Sequence, residues 1–363
     1  MAAFGIVEAV GPEVRRVQVG DRVCVSGTPQ CGSCYRCVRG RSDMCQFLSA
    51  IGADDLEPIA DLRDGTPVFE NSHIGGLAEL MVTTEEWVVP IFTRAAAADF
   101  GMVCSCVSVA GLAAALSPNL APVEPASAVA VVGCGPLGLS AVQGARMAGA
   151  TTIIAIDPVR ARRDVALRVG ATHALDPNVE ENVHLKVREL TTWPTDRLWA
   201  GGRNPAGRRP GAGADFVIEA AGAEQFPPRV ERGPDPTGIL PMQQAYQMCA
   251  LGGHVITTSL VRGNVSLPGA LFSIGGVTHH GGQAGGANPM RDIPRFVRLM
   301  ESGQFDAKAL ATLVVTLRKN ARRLRTGRLS RDHHRADDCL SAVGARKKEW
   351  AVIDRPYIRG WVP

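Results

Sequence analysis

The chain has 363 residues, 45% hydrophobic and 20% charged, which suits a globular protein of two domains. No apolar run is long and clean enough to span a membrane: residues 95–117 come closest, but Asp99, Cys104, Ser105, Cys106 and Ser108 interrupt them. The formal charge of +4 is unevenly placed, with 13 Lys/Arg against 5 Asp/Glu from Arg318 onward and 26 against 30 before it, and because this basic tail lacks an evident DNA-binding motif, nucleic acid is not an expected partner.

The first informative element is CGSCYRCVRGRSDMC, which sets Cys31, Cys34, Cys37 and Cys45 at C-x2-C-x2-C-x7-C spacing. Two-residue gaps let three thiolates converge from one tight loop, and the longer gap lets the chain turn back with the fourth. A tetrahedral Zn²⁺ site takes four such ligands, with Zn–S near 2.3 Å. Gly32, Gly40 and Ser33 allow the turns. Arg36, Arg39 and Arg41 lie near a site of net negative charge. The alternative is a disulfide cluster. With no signal peptide ahead of the loop, a reducing cytoplasm and a metal are expected instead.

Further along, AVAVVGCGPLGLSAVQGARMAGATTIIAID (128–157) holds a short apolar run, Val129–Val132, read as a buried parallel strand. Gly133, Gly135 and Gly138 follow as G-x-G-x-x-G. A helix is predicted over Leu139–Ala148, ended by Gly149, and then a strand over Thr152–Ile156, closed by Asp157. Gly133 permits the tight turn, Gly135 lets the backbone approach a pyrophosphate, and Gly138 lets helix and strand pack closely. The helix N-terminus offers N–H groups and partial positive charge to phosphates. Asp157, 19 residues after Gly138, can accept hydrogen bonds from the adenosine ribose hydroxyls, favouring NAD over NADP.

Strand-like runs continue at His173–Leu175, Asp215–Ile218 (before EAAG), His254–Thr258 and Val277–His280. Helical stretches lie between them, such as Val159–Val169 and Pro241–Ala250. This alternation predicts an α/β chain with a doubly wound parallel sheet. GGVTHHGGQAGG (275–286) is read either as close backbone approaches or as a flexible loop. The stretch 191–213 is Gly/Pro/Arg-rich and unusually long for a connection inside such a domain. Cys24, Cys134, Cys249 and Cys339 have no partner spacing and are read as buried or incidental thiols.

These motifs, in this order, resemble the zinc-type medium-chain dehydrogenase/reductase family, the zinc alcohol dehydrogenases, from about Gly5 to about Leu317. GIVEAVGPEVRRVQVGDRV resembles the strand-turn-strand after the family's Gly-His-Glu motif. GGLAEL (75–80) resembles a family strand, SCVSVAGLAAA (105–115) the segment with the third catalytic-zinc ligand, and RDIPRFVRLMESGQFDAKALAT (291–312) the late helix and return. The resemblance implies a Rossmann-type sheet plus a GroES-like β-rich catalytic domain. It divides the chain into a catalytic domain at 1–110 with a zinc lobe at 31–45, an NAD-binding domain at 111–284, a return at 285–317, and an atypical basic tail at 318–363.

It further implies oxidation of a small alcohol to an aldehyde or ketone by hydride transfer to NAD, with a catalytic zinc as Lewis acid. Cys31, Cys34, Cys37 and Cys45 would hold a structural zinc, Cys106 would bind the catalytic one, and Gly133, Gly135, Gly138 and Asp157 would bind NAD. Arg162 matches a basic position near the adenosine ribose, against the alternative of an ordinary exposed helix arginine. Cys104 is read as core packing. A homodimer or homotetramer is implied, joined near residues 254–283.

Three departures accompany the resemblance. Met1 and Ala2 stand where the family has His and Glu, so the chain is expected to be incomplete at its start, lacking two of three catalytic-zinc ligands. His73, in NSHIGG, is read as a loop histidine and not as a ligand. The family pattern stops at Leu317, which predicts a frameshift in the tail, and 191–213 is read as an insertion, a disordered loop or a sequence error. Two further readings stay open: a protein that binds NAD and structural zinc without redox catalysis, and a zinc-independent reductase such as a quinone reductase, which usually lacks the four-cysteine lobe.

Overall fold

The computed structural model describes residues 3–47, 60–61, 64–65, 67–68, 80–95, 97–192, 213–222, 238–261 and 263–310, with backbone strands at 313–315, 340–342 and 352–353. His73, Cys339 and nearly all of GGLAEL, of 191–213 and of the tail lie outside the described residues. The chain divides into two units, Met1–Cys106 with Asn288–Pro363, and Val107–Ala287.

In the first unit, β1 (Ala3–Ile6), β2 (Ala9–Val10) and β3 (Arg22–Val25) give the expected strand-turn-strand. β1 and β3 pair antiparallel, Ala3 opposite Val25 and Ile6 opposite Arg22. A one-turn helix, α1 (Tyr35–Val38), follows in the cysteine lobe. β4 (Ala60–Asp61) and β5 (Pro67–Val68) form a small antiparallel pair, and β6 (Val88–Pro90) completes a three-stranded sheet beside β3. Val7, Val23, Val25, Met81, Trp87 and Val88 form the core against this sheet. Arg22 opens β3: its guanidinium donates to the carbonyls of Thr93 and Ala95 at 2.7 and 2.8 Å and lies 4.5 Å from the centre of the Phe100 ring. Phe100 belongs to α2 (Ala97–Val103) and meets Phe4 edge-on.

Helix α3 (Cys106–Leu116) starts at the last residue of the first unit and runs into the second. Its AGLAAA run is buried all round, with Gly111, Leu112 and Ala115 against α4 (Pro136–Met147), which follows β7 (Ala128–Val132). The small residues are required: a Cβ on Gly111 would lie 2.1 Å from the Leu137 carbonyl, and one on Gly144 would lie 2.8 Å from the Ala115 Cβ. The chain continues through β8 (Thr152–Ile156), α5 (Arg160–Val169), β9 (His173–Leu175), α6 (Val183–Leu190), β10 (Ala214–Glu219), α7 (Ile239–Met248), β11 (Cys249–Thr257), α8 (Ala270–Ser273) and β12 (Thr278–Gly281).

The six strands form one parallel sheet in the order β9-β8-β7-β10-β11-β12. Numbered within the sheet, that is 3-2-1-4-5-6, the doubly wound order with its switch point between β7 and β10. Every residue of β7 is buried, as a central parallel strand covered on both faces requires. Ile154, Ile156, Val217, Val255, Tyr246 and Met248 belong to one core between sheet and helices. The expected Rossmann-type sheet and the GroES-like β-rich part are both present.

Glycine-rich 275–286 makes close approaches: a Cβ on Gly285 would fall 2.1 Å from the Ala110 carbonyl. Back in the first unit, α9 (Pro289–Glu301) buries Ile293, Phe296 and Val297 and donates the Met290 N–H to Gln30. Short parallel pairs join β13 (Leu313–Val315) to β14 (Leu340–Ala342), and β15 (Val352–Ile353) to β2.

Candidate functional site

The four predicted cysteines come together. Their sulfur atoms all lie within 4.8 Å of one another, with Cys31–Cys37 and Cys34–Cys45 at 4.0 Å. A tetrahedron with metal–sulfur bonds of about 2.3 Å has edges near 3.8 Å, whereas a disulfide needs about 2.0 Å. The set therefore fits a zinc ion, with a contraction of the sulfurs by up to about 1 Å, and not a pair of disulfides; all nine described cysteines are free.

Local structure explains the convergence. Gly32 and Gly40 have φ of +82° and +81°, where a side chain would be strained. Cys34 caps α1 and accepts from the Cys37 N–H at 3.4 Å, Cys31 accepts from the Cys34 N–H at 3.3 Å, and the Gln46 N–H reaches Cys34 at 3.5 Å. Backbone donors aimed at sulfur favour thiolates. Partial burial opposes this at Cys34, but hydrogen bonds from Gln46, Cys37 and Cys31 prevail and bring it down to about 6. Burial leads the opposite shift at Cys37 and Cys45, which are pushed up. The thiolate is thus favoured at Cys34, and a cation would offset the burial that disfavours it at Cys37 and Cys45. Arg41 is not aimed at the sulfurs. It makes a paired ion contact with buried Asp43 at 2.9 and 2.8 Å, while Arg36 and Arg39 lie over the Tyr35 ring.

In the other unit, the three glycines of the turn after β7 have three separate environments. Gly133 has φ +89°, and a Cβ there would meet the Ala221 N at 2.8 Å. It packs against the chain leaving β10, at the switch point. Gly138 has no room at all, since a Cβ would fall 1.8 Å from the Gly133 carbonyl. Gly135 is different: its backbone is ordinary (φ −67°, ψ −177°), it caps α4 with no side-chain bond, and nothing lies within 4 Å of where its Cβ would be. The space beside it is what a pyrophosphate on the α4 N-terminus would use. These residues fit a bound dinucleotide.

Asp157 is 2% exposed. Its Oδ2 accepts from the Cys134 N–H at 2.8 Å and its Oδ1 from the Val159 N–H at 2.7 Å. The acid first ties β8 to the glycine turn. A carboxylate oxygen accepts more than one bond, so a ribose hydroxyl can share it. Arg162 is not an exposed helix arginine; its Nη1 stands 3.5 Å from Asp157 Oδ2, with the side chain 20% exposed. Arg163, which sequence reasoning passed over, bonds the Asp157 carbonyl at 2.7 Å and pairs with Asp176 at 2.8 Å. The run RARRD carries no local sign of which arginine turns inward.

Cys106 starts α3, and burial pushes its thiol up. Cys24 and Cys104, in the same unit, are both buried, with the Cys24 sulfur donating to the Cys104 carbonyl. Among the described residues, the four-cysteine lobe is the only group of three or more His, Cys, Asp or Glu side chains that converge as metal ligands. The described surroundings of Cys106 therefore do not by themselves make a catalytic zinc site.

Residues 1–93 match the alcohol dehydrogenase GroES-like domain, and residues 136–231 match the zinc-binding dehydrogenase domain. The chain is 31% identical over 317 residues to the NDMA-dependent alcohol dehydrogenase of Amycolatopsis methanolica, covering 85% of this chain and 75% of that one. The chain belongs to the zinc-binding alcohol dehydrogenase family. Another relative of this dehydrogenase is the S-(hydroxymethyl)glutathione dehydrogenase of Paracoccus denitrificans, 26% identical over 321 residues, covering 86% and 77%. Among solved structures, an alcohol dehydrogenase zinc-binding domain protein from Burkholderia ambifaria superposes with a TM-score of 0.72 at 24% identity, covering 98% of this chain and 82% of that one. Benzyl alcohol dehydrogenase from Acinetobacter calcoaceticus gives 0.68 at 21%, covering 94% and 82%. At these identities the structural likeness speaks for the fold. The chain is a zinc-dependent alcohol dehydrogenase-like oxidoreductase, and no described helix is long and apolar enough to cross a membrane.

Proposed function

We propose that the protein transfers hydride between a small alcohol, with its aldehyde or ketone, and NAD, in a reducing cytoplasmic setting and as a homodimer or homotetramer. One observation carries the cofactor half: Gly135 opens onto unfilled space at the start of α4, between a backbone-locked Gly133 and a buried Asp157. NAD, when bound, supplies the hydride acceptor. In this reading the α4 N-terminus and Gly135 take the pyrophosphate, Gly133 and Gly138 shape the turn, and Asp157 with Arg162 takes the adenosine ribose. Cys31, Cys34, Cys37 and Cys45 close a four-sulfur shell with no open position, so their zinc supports structure and not substrate.

Cys106 is proposed as a ligand of a catalytic zinc on the family resemblance of residues 105–115, and no step is routed through that metal. The residues 111–284 form the proposed NAD domain, and the rest of the chain up to 317 the catalytic domain. The decisive measurement is metal content with turnover. Two zinc ions per chain, together with NADH formation from a panel of primary and secondary alcohols, support the full reading. One zinc per chain with NADH binding and no turnover favours the second reading, a cofactor-binding protein. Failure to bind NADH would overturn both.

A further inference from the structure

Glu219 ends β10 beside the switch point and is fully buried. Its Oε1 accepts two backbone N–H groups, from Ala221 at 2.9 Å and Gly222 at 2.8 Å. Its Oε2 accepts the Ser259 hydroxyl. The Glu219 carbonyl accepts both the N–H and the hydroxyl of Thr258 at 3.1 Å. One residue thus fastens the chain leaving β10 to the chain leaving β11. Packing reinforces the bond pattern: Gly222 has φ +62°, and a Cβ there would lie 2.9 Å from the Ser259 Cβ and 3.1 Å from the Leu260 carbonyl.

The fastened turn is also the wall behind Gly133. Ala220 continues the ladder by donating to the Val132 carbonyl at 2.8 Å, and Ala221 occupies the place that a Gly133 side chain would take. In a doubly wound sheet a dinucleotide lies across two halves, one on the strands around the glycine turn and one on the strands beyond the switch point. Glu219 sits where the halves meet. Burial raises its pKa, while the bonds from Gly222, Ser259 and Ala221 work against that rise. A buried carboxylate in a three-donor cage is costly to disturb, so the cage holds the turn in one conformation.

We infer that Glu219, together with Ser259, is a positioning residue for the second, nicotinamide-bearing half of the dinucleotide, and that it acts through the 220–222 turn and not by touching the adenosine half. The inference rests on the NAD reading above. The sequence showed only EAAG at a strand end; the function of its glutamate depends on Ser259, 40 residues away.

The test compares AMP and NADH binding to the full chain by calorimetry and NADH fluorescence. Glu219→Ala weakens NADH binding about tenfold or more and leaves AMP binding within about twofold. Glu219→Gln keeps an oxygen for the two N–H groups and an amide for Ser259, and restores NADH binding to within about threefold. Ser259→Ala, which leaves the two N–H bonds intact, weakens NADH about threefold and spares AMP, and it decides the question if Glu219→Ala does not fold. A parallel fall in AMP and NADH, or NADH binding unchanged in Ser259→Ala and in a folded Glu219→Ala, overturns the inference. A wild-type chain that binds neither ligand overturns the NAD reading instead.

Discussion

The cysteine lobe and the parallel sheet reach order by opposite routes. α1 buries no side chain, and the lobe's enclosed groups are Cys45, Ser42 and the Asp43 carboxylate. Its shape comes from backbone N–H groups aimed at sulfur and from glycines in the left-handed region, with little apolar area to exclude water. The sheet relies on burial: Ile153, Ile154, Ile218, Met248 and Ile256 are fully enclosed. A region without a core depends on its metal, and a region with one tolerates loss of a ligand. The lobe should therefore fail as a unit when a sulfur is lost, while the sheet should fail only where backbone meets backbone.

The largest expected effect follows from that contrast. Structural zinc contributes on the order of 10–16 kcal/mol in small zinc domains, far beyond what the lobe's few buried groups supply. Cys45→Ser, or prolonged chelation, should release one zinc per chain and make residues 31–47 exchange amide hydrogens freely. Protection in β7, β8 and β10 should persist. Loss of protection in both units together would show that the lobe is not independently metal-dependent.

The second test sits within the glycine turn. Gly138→Ala forces a Cβ to 1.8 Å from a backbone carbonyl, which cannot move aside as a side chain would, and should destabilise the sheet unit by about 3 kcal/mol. Gly135→Ala meets nothing and has a permitted φ. It should leave stability unchanged or raise it by about 0.5 kcal/mol, while weakening NADH binding about tenfold. Urea titrations and NADH fluorescence on the two variants separate a packing glycine from a ligand-space glycine. Equal stability losses would refute the distinction.

Much of this turn was legible beforehand, because G-x-G-x-x-G, the apolar run before it and the acid after it are local patterns imposed by a strand, a tight turn and a helix. The strands Thr152–Ile156 and His173–Leu175 have the bounds their residues predict, and other strands shift by one to five residues, the most at β11, which begins at Cys249, upstream of the predicted start at His254. What was not legible depends on partners distant in sequence. Asp157 reads as a ribose acceptor from its spacing, but its first partners are the N–H groups of Cys134 and Val159. Arg162 and Arg163 are chemically alike and adjacent, and only the direction of α5 decides that one faces the Asp157 carboxylate and the other Asp176. Glu219 acquires its cage only when β10 and β11 lie side by side.

Asp157→Asn tests the third level. The amide cannot accept at both positions, so the N–H of Cys134 or Val159 faces another donor. The expected cost is about 1–3 kcal/mol, with NADH binding weakened as the turn loosens. The asparagine variant should respond less to Arg162→Gln than the parent chain does, because the ion pair at 3.5 Å is already gone.

The smallest effect tests whether the sheet's edge shares the stability of its centre. His254 Nδ1 and His280 Nε2 stand 3.0 Å apart on neighbouring strands, so one ring donates and the other must stay neutral to accept. Phe216 stacks on His254, and Tyr246 on His279. Burial lowers the pKa of His279 and His280, and for His280 the nearby His254 and His279 add to the shift. A histidine with a folded pKa below its unfolded value near 6.5 resists protons that the unfolded chain takes up. Stability is thus kept above about pH 6.5 and declines as pH falls from there through the lower folded values. Thermal unfolding of the sheet unit, followed from about pH 7.5 down to about pH 5, should show this slope, and His280→Gln should flatten it while leaving the midpoint at neutral pH nearly unchanged. A slope that survives substitution of both His279 and His280 would move the acid sensitivity away from the edge, for example to His184 in α6, whose pKa burial also lowers.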